Sequence, residues 1–77
     1  MQVHLTLFGQ LADITGRTEM TLHDIPDTET LVQTLNEMYP LIANVKYAIA
    51  LNRKVIKDKT ILIGDNNIAL LPPFSGG

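Results

Sequence analysis

One stretch of this chain carries a long helical stripe. Leu31, Val32, Leu35, Met38 and Tyr39 fall at i, i+1, i+4, i+7 and i+8, a single face of a 3.6-residue repeat. The segments around it alternate with period two. Val3, Leu5 and Leu7 alternate with Gln2, His4 and Thr6. Met20 and Leu22 alternate with Glu19, Thr21 and His23. Tyr47, Ile49 and Leu51 alternate with Lys46, Ala48, Ala50 and Asn52. An amphipathic helix must bury its apolar face, and the surface this chain offers it is one side of a sheet. A single main helix across a sheet is therefore the expected layering.

Turn chemistry sets the boundaries. Gly9 ends the first strand, Gln10 to Ile14 forms a helical turn with Leu11 and Ile14 inward, and Gly16 closes it. Ile25-Pro26-Asp27-Thr28 breaks the second strand, with Thr28 expected as the helix N-cap and Glu29 in the first turn. Pro40 disfavours helical geometry at Tyr39 and stops the helix there. Asn52-Arg53-Lys54 is a turn into a short return strand at Val55-Ile56. Ile61 to Ile63 leads into the turn Gly64-Asp65-Asn66-Asn67, and Ile68 to Leu71 is the last strand. The order is strand, strand, helix, strand, short strand, strand. It predicts an α+β fold of the β-grasp type, a mixed sheet of about five strands with its first and last strands parallel at the centre. Residues 1–71 form the expected domain, and residues 72–77 an extended, flexible tail.

Size and composition exclude several functions. A chain of 77 residues is one domain. Such a chain buries only about 60% of its unfolded surface, which leaves little room for an internal active-site cavity. There is no cysteine, so no thiol is present for nucleophilic, redox or thiolate-metal chemistry. The net charge is −2, and the densest basic group, Arg53, Lys54, Lys57 and Lys59, reads as the solvated rim of a hairpin. Nucleic-acid binding, which depends on clustered phosphate-neutralising cations, is not expected. No apolar run is long enough to cross a membrane, and Met1-Gln2 leads straight into strand residues without a signal-like segment. A cytoplasmic location is the simplest expectation.

The interior holds no catalytic constellation. His4 and His23 both lie on the polar phase of strands, a poor metal site without a third ligand. The lone serine, Ser75, has no nearby histidine. The eight carboxylates show no paired-acid spacing, and no glycine-rich phosphate loop precedes the helix. No metal or cofactor is expected on this chain.

What remains is the end of the chain, Pro72-Pro73-Phe74-Ser75-Gly76-Gly77. Two prolines cannot donate backbone hydrogen bonds, so they end the sheet and hold the chain extended. Beyond them Phe74 alone has a large side chain. Six residues at about 3.3 Å each reach roughly 20 Å from the domain, and terminal glycines pass a channel too narrow for a β-carbon. Such a tail suits delivery of a terminal carboxylate into another protein's active site. Phe8 breaks the inward phase of the first strand, and Leu71 that of the last. If those strands are neighbours, the two form an apolar patch on the helix-free face, a candidate partner interface.

The ending LLPPFSGG, together with VHLTLFGQLADITG, the helix opening after PDT, the IALNRKVI hairpin and GDNNIALLPPFSGG, resembles the small, sulfur-carrying subunit of molybdopterin synthase within the ubiquitin-like superfamily. The resemblance spans essentially the whole chain. It implies that Gly77 is adenylated by an ATP-dependent activating enzyme and converted to a C-terminal thiocarboxylate. It further implies that the large synthase subunit takes up the tail, and that sulfur passes to a cyclic pyranopterin precursor of the molybdenum cofactor. ATP belongs to the activating partner. A carboxylate is a poor electrophile until its oxygen becomes a leaving group, which acyl-adenylate formation achieves. The thiocarboxylate, ionised at neutral pH, is then a sulfur nucleophile that needs no histidine base. The same body and tail suit sulfur carriage for thiamin synthesis or tRNA thiolation, though the thiamin carriers usually lack the proline pair. A module of another class, ubiquitin-like binding or conjugation, uses the same ending.

Overall fold

The computed structural model describes residues 2–72 of the chain. The elements are β1 (Gln2–Leu7), α1 (Gln10–Thr15), β2 (Glu19–His23), α2 (Thr28–Met38), a 3-10 turn (Pro40–Asn44), β3 (Ala48–Leu51), β4 (Lys54–Ile56) and β5 (Asn66–Leu71). The five strands make one mixed sheet in the order β2-β1-β5-β3-β4. β1 and β5 are parallel neighbours at its centre, while β1–β2, β3–β5 and β3–β4 are antiparallel. α2 covers one face.

Alternation decides what is buried. Val3, Leu5 and Leu7 from β1, with Ile68 and Leu70 from β5, meet Leu31 and Leu35 of α2, Leu11 of α1 and Ile42 of the 3-10 turn in one core. Register carries the same phase across the sheet: Leu5 faces Ile68, and Leu70 faces Ile49. Met20, Leu22, Tyr47, Ile49 and Leu51 are partly buried against that core, on the expected inward phase.

Several local expectations need correction. Asp27, not Thr28, is the N-cap of α2; its Oδ1 accepts from the Thr30 N–H at 2.7 Å. Thr28 is instead the first helical residue and is buried. Its Oγ1 accepts from the Thr60 N–H, and its own N–H donates to the Thr60 carbonyl. The loop before β5 thereby clasps the helix start, and Thr28 is occupied by that bond. Met38 lies on the apolar stripe, yet as the last residue of α2 it is 48% exposed. Asn66 and Asn67 belong to β5 and not to the turn, which contracts to Gly64 and Asp65. Asn66 is buried, with its Nδ2 donating to the Ile63 carbonyl at 3.2 Å and its Oδ1 accepting from Asn52 Nδ2 at 3.1 Å.

The β3–β4 connection is a two-residue hairpin loop, Asn52-Arg53, with φ of 48° and 74°. Positive φ at both positions is the primed turn whose twist matches that of the strands it joins. Neither residue is glycine. Asn52 is held there from outside the hairpin: its N–H donates to the Asn67 carbonyl at 2.8 Å, and its Oδ1 accepts from the Asn67 N–H at 3.0 Å.

Candidate functional site: the open sheet face and the root of the tail

The face of the sheet away from α2 is built by the outward phase of every strand. One row runs Glu19, Thr6, Ala69, Ala50 and Val55 across all five strands; the adjacent row runs Thr21, His4 and Asn67. These side chains are short or polar, so the face is shallow. A depression of about 520 Å³ lies over His4, Thr6, Glu19, Thr21 and Asn67, and a second of about 190 Å³ lies over Thr6, Ala50, Arg53, Asn67 and Ala69. Thr6 and Asn67 line both. Arg53 is brought to this face by the hairpin turn that the asparagines hold.

His4 and His23 do share this face, as their pairing with Thr21 and Gln2 requires. His4 Nδ1 lies 3.2 Å from Thr21 Oγ1. Among the described residues no three His, Cys, Asp or Glu side chains group to hold a metal ion. Two titrations are displaced, both away from this face. Hydrogen bonding from the Thr30 N–H, with a smaller contribution from Lys59, holds the Asp27 carboxyl below its ordinary value. Burial pushes the Tyr47 phenol up. Neither is a catalytic arrangement; the first is a helix cap and the second a half-buried ring.

At one end of the open face β1 and β5 part company. Leu7 is the last β1 residue paired with β5, opposite Leu70. Gly9 then turns the chain away at φ 56°, ψ −130°, a conformation glycine tolerates without strain, and α1 begins. β5 continues one residue further, and Leu71 pairs with Ala48 of β3. Pro72 follows. It sits at a crevice of about 30 Å³ lined by Phe8, Gln10 and Leu11 on one side and by Val45 and Lys46 on the other.

Of the residues expected to dock a partner, Phe8 is 43% exposed at this crevice, beside the start of the tail. Leu71 is half-buried on the outward phase of β5, with Asn67 and Ala69. Leu71 does not line the crevice that Phe8 shares with Pro72. Pro73, Phe74, Ser75, Gly76 and Gly77 lie outside the described residues. Sequence reasoning missed Val45 and Lys46. Val45 falls between the 3-10 turn and β3, where no periodic pattern marks it, and only the approach of β5 brings it to the crevice with Pro72.

This strand order, with parallel central strands and one helix laid across the sheet, defines a ubiquitin-like β-grasp protein. The small archaeal modifier protein 1 of Methanosarcina acetivorans superposes with a TM-score of 0.83 at 24% identity, over 99% of this chain and 96% of that one, a likeness of fold. The complex of subunits 1 and 2 of molybdopterin-converting factor from Helicobacter pylori contains a chain 32% identical to this one. It matches with a TM-score of 0.74 over 100% of both chains. A molybdopterin synthase sulfur carrier subunit of Chlamydomonas reinhardtii is 30% identical over 83 residues, covering 100% of each. Its counterpart in Arabidopsis thaliana is 28% identical over 82 residues, covering 100% of this chain and 84% of that one. The model of the ThiS family matches residues 5–77, and the chain belongs to that family.

Proposed function

We propose that this chain is the sulfur-carrying small subunit of a molybdopterin synthase, and that its working group is the C-terminal carboxylate of Gly77. The observation that carries the reading is full-length similarity to two proteins named as molybdopterin synthase sulfur carrier subunits. The Ser75-Gly76-Gly77 run, which lies within the span that the ThiS family model matches, supports it.

The chemistry then runs as follows. The Gly77 carboxylate attacks the α-phosphate of ATP on an activating enzyme, giving the acyl-adenylate and pyrophosphate. A sulfide-level nucleophile, hydrosulfide, attacks the acyl carbon, the C–O bond to AMP breaks, and loss of the proton leaves the thiocarboxylate. The large synthase subunit takes up the tail, with Pro73, Phe74, Ser75 and Gly76 in its channel and Pro72 at the channel's mouth. The thiocarboxylate sulfur attacks a carbon of the cyclic pyranopterin precursor that bears an oxygen leaving group, the C–S bond forming as that C–O bond breaks. Water then cleaves the acyl–sulfur bond, leaving the thiol on the pterin and returning Gly77 to a carboxylate. Docking makes the attack effectively unimolecular, which is the main contribution a carrier body can make. Phe8 and Leu71 anchor the large subunit on the helix-free face. The chain binds no cofactor of its own and works in the cytoplasm.

Intact-mass spectrometry of protein isolated from its native host tests this. A form heavier by one sulfur in place of one oxygen, localised to Gly77, is the expected result. Isolation of Gly77 only in amide linkage to other proteins would show a conjugating module instead.

A further inference from the structure

The crevice at the end of β5 has walls fixed independently of the tail. On one side Leu11 is buried in the core, and its N–H donates to the Phe8 carbonyl at 3.2 Å, which fixes Phe8 at the entry to α1. On the other side Val45 caps the 3-10 turn, its N–H donating to the Ile42 carbonyl at 3.0 Å, and Ile42 is fully buried. Val45 itself is half-buried against the core, and the exposed Lys46 lines the crevice beside it. Both walls are therefore tied to the core. Pro72, which is exposed and whose ring fixes φ near −65°, lines the crevice together with them. The space left between them, about 30 Å³, has room for about one water and not for another side chain. Pro72 directly follows the end of β5 at Leu71.

We propose that Val45 and Lys46, with Phe8 opposite, are positioning residues that seat Pro72 and so fix the direction in which residues 73–77 leave the body. The proposal rests on the sulfur-carrier reading for its purpose, though not for its geometry. A tail of five residues past Pro72 spans at most about 18 Å, so a change of angle at its root displaces its tip by many ångströms. A root aimed before docking lowers the ordering cost of entering a partner's channel, which appears in affinity. Once the tail is inside, the channel holds it. Loosening the root should therefore raise KM for the carrier and leave kcat unchanged.

The test uses the full chain, thiocarboxylated, with the large subunit of molybdopterin synthase. Val45→Ala should raise KM several-fold at constant kcat, and Val45→Ile, which keeps the wall filled, should restore it. Pro72→Gly should raise KM similarly. The double variant should be no worse than Pro72→Gly alone, because both changes remove the same seat. Additive losses, or a fall in kcat, would overturn the proposal and make Val45 a structural or docking residue. A second arm needs no partner: nuclear Overhauser contacts from the Pro72 ring to the Val45 methyls and the Phe8 ring should be present in the wild type and lost in Val45→Ala. Their absence from the wild type would overturn the seat. Their presence in a protein that transfers no sulfur would leave the seat standing and sink the functional reading.

Discussion

The two faces of this sheet are made by alternate residues of the same strands, yet they have little in common. Toward α2, Val3, Leu5, Leu7, Ile68 and Leu70 are each no more than 2% exposed. On the other side, His4, Thr6, Asn67, Ala69 and Ala50 are short or polar and lie under open depressions. A chain of 77 residues with one main helix covers one face only. The stability of the molecule is thus concentrated on the helix side, and the other side is left open. β5 is central, so its end emerges between α1 and the residues before β3, at the margin of the open face.

The contrast is sharpest in Leu35, which is fully buried under the sheet. Leu35→Ala should cost about 2–5 kcal/mol in chemical denaturation, whereas Thr6→Ala on the open face should stay within about 0.5 kcal/mol. Equal losses at the two sites would erase the distinction between the faces. Gly9 is the next test. A β-carbon there meets nothing within 4 Å, so any penalty is backbone strain at φ 56° and not crowding. Gly9→Ala should destabilise by about 1–3 kcal/mol without altering the core.

A smaller effect belongs to the Asp27 cap. Its carboxyl titrates below the ordinary value of 3.8, so the folded state favours the ionised form. The cap's contribution is present in full above the unfolded value and is lost as pH falls from there through the folded value. Asp27→Ala should lower the midpoint of thermal unfolding at pH 7, and the difference from wild type should shrink as pH drops below about 4. A difference independent of pH would mean that the charged cap is not what Asp27 supplies. Lys59, 3.9 Å from Asp27 and 3.6 Å from Glu29, is well exposed and should matter least.

Much of this was legible in the sequence because it is written as periodicity. The Leu31–Leu35 stripe placed α2, and the alternation of Val3, Leu5 and Leu7 placed the inward face of β1. The parallel pairing of β1 with β5 followed from the element order. What escaped depends on partners distant in the chain. Thr28 had the composition of a cap, but its hydroxyl is claimed by Thr60, so the role passed to Asp27. Asn66 and Asn67 read as turn residues until Asn52 supplies their partners and draws them into β5. The crevice at Pro72 joins residues from three segments, of which only Phe8 carried a local signal. The terminal glycines showed the opposite pattern. Composition and position alone singled them out, and they lie outside the described residues.

The central claim is that Gly77 bears the sulfur, and its deletion tests that most directly. Removing Gly77 withdraws the terminal carboxylate by one residue, roughly 3.5 Å. Reacting atoms must approach within about 3–3.5 Å, so a shift of that size takes the sulfur out of reach. The measurement is conversion of the cyclic pyranopterin precursor to molybdopterin, with the large subunit supplied and the shortened chain chemically thiocarboxylated at its new terminus. The expected outcome is loss of transfer with the fold and thermal stability unchanged. Full activity from the shortened chain would contradict the account, because the donor would then not be the terminal glycine.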